Sequence, residues 1–120
     1  MEKRRLEDLP LEALHFTVAE SIRQLPGPDG QRFAPLLSWG TCDLEIYAPR
    51  GTDPQKPHTR DEAYVVASGT GYFSSGLERR QFGPGDVLLV GAGVEHRFED
   101  FTDDFVTWVF FFGPEKILTE

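Results

Sequence analysis

At 120 residues the chain fits one domain, and a domain of this size buries a working core without disulfide staples. Hydrophobic residues at 39% and charged residues at 27% make a globular balance, while a formal net charge of −8 repels phosphates and speaks against a nucleic-acid partner. A single cysteine, Cys42, rules out an internal disulfide and agrees with a reducing cytoplasm, and no uninterrupted apolar run approaches the ~20 residues that span a bilayer.

The basic start, Lys3-Arg4-Arg5, runs at once into Glu7, Asp8 and Pro10, which is unlike a secretory leader. Leu6, Leu9, Leu11 and Leu14 around Pro10 fit an arm that packs on something, a partner subunit included. Thr17 followed by Glu20 reads as a capping box, and Val18, Ile22 and Leu25 then share one face of a short helix. Leu25-Pro26-Gly27-Pro28 ends it. Residues 1–30 are therefore expected to form an arm and one short helix, and residues 31–115 a β-domain.

From Arg32 onward the pattern is β. Pro35 suggests an edge position in the first strand. Cys42, Leu44, Ile46 and Ala48 alternate with Asp43, Glu45 and Tyr47, as in a half-buried strand. Glu62–Ser68 is stopped by Gly69-Thr70-Gly71, and Ser75-Gly76 marks a hairpin. Pro84-Gly85 suits a type II turn, with Pro fixing φ and Gly accepting a positive φ. Val87–Val90 is a short apolar strand, and Phe105–Phe112 is the last and most hydrophobic one. Many short strands divided by Gly and Pro turns indicate an all-β sandwich or barrel.

Only three histidines are present, and two of them, His58 and His96, lie beside strand-like segments. Glu62 follows His58 by four residues. On a straight strand that spacing separates them by roughly 13 Å, too far for a shared ion. A polar bend at Thr59-Arg60-Asp61 would bring the two side chains together, and the β-branched run after Glu62 argues against a helix instead. His96 begins a later strand with Phe98 on the same face. Two imidazoles and a carboxylate meeting inside a closed sheet would hold a divalent metal (iron, manganese, nickel or zinc) with positions left open.

At these residues the sequence resembles the cupin superfamily. Glu62, six residues and Gly69 match the tail of that family's first motif, in which two histidines precede the glutamate. Gly85-Asp86-Val87-Leu88-Leu89-Val90-Gly91-Ala92-Gly93-Val94-Glu95-His96 follows the second. The stretch from Tyr47 to Glu115 is similar to small single-domain cupins. The resemblance implies a double-stranded β-helix (a cupin or jelly-roll barrel) with metal ligands at His58, Glu62 and His96. Lys56 stands where the first histidine of the motif belongs or, if the alignment is shifted so that His58 is the first, Arg60 stands at the second; either way three protein ligands remain, while Gly91 replaces a proline and Asp100 an asparagine.

The pocket is expected to draw on Arg60, Tyr64, Phe98, Trp108 and Phe110, with Tyr47 and Arg60 as candidate catalytic groups. Arg60 either lies exposed or points inward to hold a substrate carboxylate. Phe110-Phe111-Phe112 cannot all face inward, so a second layer or a subunit interface must cover one face. A homodimer with a small-molecule ligand is the expected assembly. The resemblance implies a metal-dependent enzyme of oxygenase, isomerase or lyase type on a small polar organic molecule. The competing expectation is a non-catalytic sugar-binding or sensing module.

Overall fold

The computed structural model describes residues 4–9 and 14–117; Lys3, Pro10 and Leu11 of the expected arm lie outside them. Two sheets face each other. The larger has strand order β1-β2-β3-β9-β4-β7, from β1 (Arg4–Arg5), β2 (Phe33–Trp39), β3 (Cys42–Tyr47), β9 (Val106–Phe112), β4 (Asp61–Ser68) and β7 (Val87–Val90). The smaller has order β6-β5-β8, from β6 (Glu78–Phe82), β5 (Gly71–Ser75) and β8 (His96–Glu99). This is a double-stranded β-helix, with the short helix α1 (Val18–Ile22) before it. No helix among the described residues is long and apolar enough to cross a membrane.

Local chemistry sets the turns. Thr17 Oγ1 accepts from the Glu20 backbone N–H at 3.1 Å and caps α1. Asp86 N–H donates to Gly83 C=O across Pro84-Gly85, and Gly85 has φ +87°, the type II geometry. Asp100, where the family motif has Asn, takes φ +49°, which short polar side chains tolerate best. Pro35 lies on β2 beside a shift in register, and on the side away from β3 the only strand among the described residues is the two-residue β1.

Strand alternation sorts the core into two clusters. Inward, Tyr47, Tyr64, Val66, Val90 and Val109 of the large sheet meet Phe73, Phe82 and Phe98 of the small one, with Phe105 between. Phe98 is the hub, its ring 4.7–5.4 Å from those of Tyr64, Phe73, Phe82 and Phe105. On the outer face of the large sheet, Leu36, Leu44, Ile46 and Val106 pack with Trp108 and Phe110 beneath Leu6, Leu9, Phe16, Val18 and Leu25. The N-terminal segment thus covers its own barrel. Each large side chain shielded this way contributes roughly 1.5–3 kcal/mol. The second layer demanded by the Phe110–Phe112 run is therefore supplied within the chain.

Candidate metal centre

Glu62 and His96 come from opposite sheets. Glu62 sits on β4 with Tyr64 and Val66 on the same inward face, and His96 opens β8 with Phe98 facing the same way. His58 precedes β4 in a loop pinned by Gly93 N–H to His58 C=O (2.8 Å) and Lys116 N–H to Thr59 C=O (2.7 Å). The chain bends at residues 59–60 before β4 begins at Asp61. One donor atom from each of His58, Glu62 and His96 lies within 4.8 Å of the others.

Glu62 Oε1 stands 3.1 Å from His96 Nε2 and 3.6 Å from His58 Nε2. Despite the 3.1 Å approach, Glu62 Oε1 and His96 Nε2 are buried polar atoms without a well-formed hydrogen bond among the described residues. Leaving such atoms unsatisfied costs several kcal/mol for the pair, on the order of 1–3 each. A cation between them removes that cost, so the residues present fit a metal ion. His96 Nδ1 lies 2.8 Å from Val94 C=O, which only an N–H can meet. In the neutral ring that fixes the proton on Nδ1 and turns the Nε2 lone pair toward Glu62.

The electrostatics agree. Burial pushes His58 below the ordinary histidine range, against the pull of Glu62, which favours a neutral, ligating ring. Burial would lower His96 as well, but the adjacent Glu62 carboxylate and the Val94 carbonyl outweigh it and raise its pKa. The spot between His96 and Glu62 therefore attracts positive charge.

Behind the donors runs a chain of hydrogen bonds. Tyr64 O–H lies 2.8 Å from Glu62 Oε2 and 3.0 Å from Gln55 Oε1. Gln55 Nε2 donates to Asp53 Oδ2 at 2.7 Å, as does Phe98 N–H at 2.8 Å, and Tyr47 O–H donates to Asp53 Oδ1. Burial raises the pKa of both phenols far above the usual tyrosine value, reinforced by Asp53 at Tyr47 and by Glu62 at Tyr64. Both hydroxyls stand at hydrogen-bond distance from a carboxylate, so Tyr47, one of the candidate catalytic groups, meets Asp53 as a proton donor. A group whose pKa is raised on folding stabilises fully below its unfolded value, about 10 for tyrosine, and loses that contribution as pH rises past it. Urea midpoints are therefore expected to fall between about pH 9 and about pH 11, with phenolate absorbance of Tyr47 and Tyr64 appearing only on unfolding. A midpoint flat over that range would contradict this account.

A cavity of about 530 Å³ opens beside the donors, lined in part by Arg32, Tyr47, Arg50, Gln55, His58 and Phe111. Of the three candidate ligands only His58 reaches it. Arg32 Nε is anchored to Ala48 C=O at 2.8 Å.

A family model described as "Cupin domain" matches residues 43–112, which is more than half of the chain. The chain belongs to the cupin family. An uncharacterized protein of Streptomyces coelicolor is 44% identical over 65 residues, covering 54% of this cupin and 62% of the relative, under two-thirds of the latter's length. Among solved structures, a Ralstonia eutropha protein provisionally named mannose-6-phosphate isomerase is 25% identical, with TM-score 0.56 over 68% of this chain and 83% of that one. A Klebsiella pneumoniae protein with a double-stranded β-helix domain is 16% identical, with TM-score 0.68 over 82% and 89% of the two chains, and shows the fold alone.

Several residues expected at the cupin's pocket lie elsewhere. Trp108 and Phe110 point to the outer cluster; successive strand residues alternate faces, and Val109 and Phe111 are the pair that lines the cavity. Phe98 is core, 1% exposed, and Tyr64 is fully buried beneath Glu62. Arg60 is not among the residues that line the cavity: its guanidinium binds the Asp43 carboxylate and the carbonyls of Thr41, Phe111 and Gly113, stapling the bend before β4 to β3 and β9. Lys56 is exposed. Asp53 and Gln55 escaped the sequence reading because Thr52-Asp53-Pro54 reads as an ordinary turn.

Proposed function

We propose that this cupin is a metal-dependent enzyme acting on a small organic anion. The observation that carries the reading is the cavity, which touches the donor cluster through His58 and also exposes two arginines. Its volume is that of a small-molecule site. Arg32 spends only Nε on the backbone, and Arg50 sits close enough to add, after burial, to the lowering of the Arg32 pKa. Two guanidiniums side by side in a chain of net charge −8 favour a carboxylate or phosphate between them. Imidazole and carboxylate donors suit iron, manganese, nickel or zinc. A bound ion supplies Lewis acidity toward a carbonyl, carboxylate or phosphate oxygen. The name of the Ralstonia relative concerns a sugar phosphate, a polyol carrying an anion, which fits the same grip. Oxygenase, isomerase and lyase chemistry all remain compatible with the fold.

The committed phenolic proton of Tyr47 favours a second reading, a cupin that binds or senses an anionic metabolite without turnover.

Protein purified without chelator is expected to carry close to stoichiometric first-row metal, lost in a His58→Ala/His96→Ala variant. Calorimetric titration of the loaded protein is expected to show mannose 6-phosphate bound at least about tenfold more tightly than mannose, the preference vanishing in Arg32→Gln/Arg50→Gln. Equal, trace metal in wild type and the histidine variant would end the metal reading. Equal affinity for the two sugars would end the anion reading.

A further inference from the structure

Lys56 is exposed and Arg60 is held by Asp43 and backbone carbonyls, whereas another side chain reaches His58. We propose that the amide oxygen of Gln55 is a fourth protein donor to the ion. This rests on reading the site as a metal centre, and it concerns a residue outside the family motif.

The argument begins at Asp53. Its carboxylate receives Tyr47 O–H, Phe98 N–H and Gln55 Nε2, all of them donors. The Gln55 amide must therefore present its NH₂ to Asp53; flipped, it would set a carbonyl oxygen against a carboxylate. That fixes Oε1 toward the site, 3.1 Å from His58 Nε2. Among the described residues its other hydrogen-bond neighbour is Tyr64 O–H, whose single proton lies nearer to Glu62 Oε2, at 2.8 Å against 3.0 Å.

Loading the site changes the balance. A metal-bound His58 Nε2 carries no proton, so Gln55 Oε1 would face a nitrogen lone pair at hydrogen-bond distance with nothing between them. A cation between the two atoms resolves that clash, as it does for Glu62 Oε1 and His96 Nε2. Three of the donor-pair spacings are also those of a coordination polyhedron. Donors at about 2.1–2.2 Å from an ion, at tetrahedral or octahedral angles, stand roughly 3.0–3.6 Å apart. The donor pairs here are 3.1 Å (Gln55–His58), 3.1 Å (Glu62–His96) and 3.6 Å (His58–Glu62). Gln55 also lines the cavity, as His58 does, so an ion held by both faces the space where a ligand would enter.

Cobalt(II) is the probe, because its visible absorption reports the donor set independently of turnover. Wild-type protein is expected to bind one Co²⁺ with a d–d spectrum that shifts in Gln55→Ala, while affinity falls about tenfold or more. Gln55→Glu, which keeps an oxygen in place, is expected to retain tight binding. X-ray absorption or a crystal structure of the wild-type Co²⁺ protein should place Oε1 within about 2.3 Å of the ion, a result that does not depend on any variant folding. Unchanged affinity and spectrum in a folded Gln55→Ala protein, or an Oε1–Co²⁺ separation beyond about 3 Å, overturns the assignment and leaves the three-residue site intact. Failure of the wild type to bind Co²⁺ overturns both.

Discussion

Asp53→Ala is expected to cost about 4 kcal/mol of stability and to weaken metal binding by about 10- to 100-fold. Asp53 is 3% exposed and sits where the barrel interior meets the cavity loop. It is the common acceptor of Tyr47 O–H, Gln55 Nε2 and Phe98 N–H. Truncation strands three donors. Each buried unsatisfied donor costs on the order of 1–3 kcal/mol, and water entering the vacated volume recovers part of the sum. The metal effect follows because Asp53 fixes which way the Gln55 amide points. Asp53→Asn is the conservative control. Its amide oxygen, standing in for Oδ2, can still receive both Phe98 N–H and Gln55 Nε2, and its NH₂ then faces the Tyr47 hydroxyl, which can turn to accept, so most of the stability and the Gln55 orientation, and with it the metal affinity, are expected to be kept. Urea unfolding and Co²⁺ titration of both variants measure this; a stability loss below about 1 kcal/mol in Asp53→Ala would mean that water substitutes for the carboxylate.

The parts of the molecule legible in sequence are those set by short-range rules. Gly and Pro at the turns and the alternation in β4 and β9 announced a β-sandwich or barrel, and the fold is that. The approach of His58 to Glu62 was legible because the alternative, a straight strand, would separate them too far, so a bend was required. His96 was legible as an inward position through its pairing with Phe98. What escaped depends on contacts between distant segments. Alternation shows that Trp108 and Phe110 share a face, but which face is the cavity depends on where the N-terminal arm packs. Arg60 was ambiguous because its partners, Asp43 and the carbonyls of Thr41, Phe111 and Gly113, lie on other segments of the chain. Gln55 carries no motif; its role emerges only when Asp53 and Tyr64 orient its amide.

Gly69→Ala is expected to destabilise the barrel by about 3 kcal/mol or more while leaving the metal affinity of the folded fraction unchanged. Gly69 has φ +86°, which costs an L-residue about 1–2 kcal/mol by itself. The larger part is steric. A Cβ there would stand 2.5 Å from Phe105 Cα and 2.8 Å from Phe105 N, which are backbone atoms that no rotamer change can move. Phe105 is 1% exposed, its ring against those of Phe82 and Phe98, so displacing it disturbs the core hub. Gly76→Ala is the control: it also has a positive φ, +59°, but a Cβ there meets nothing within 4 Å. That variant is expected to lose only the conformational cost, about 1–2 kcal/mol. The difference between the two urea midpoints isolates the clash, and equal losses would show that the Phe105 segment yields freely. The metal donors escape because Glu62 opens the inward row at the other end of β4, where Val90 on β7 and Phe111 on β9 flank it in register. The glycine retained from the family motif thus serves the close approach of the 105 loop to the end of β4, a packing role distinct from the candidate metal group to which the glutamate of the same motif belongs.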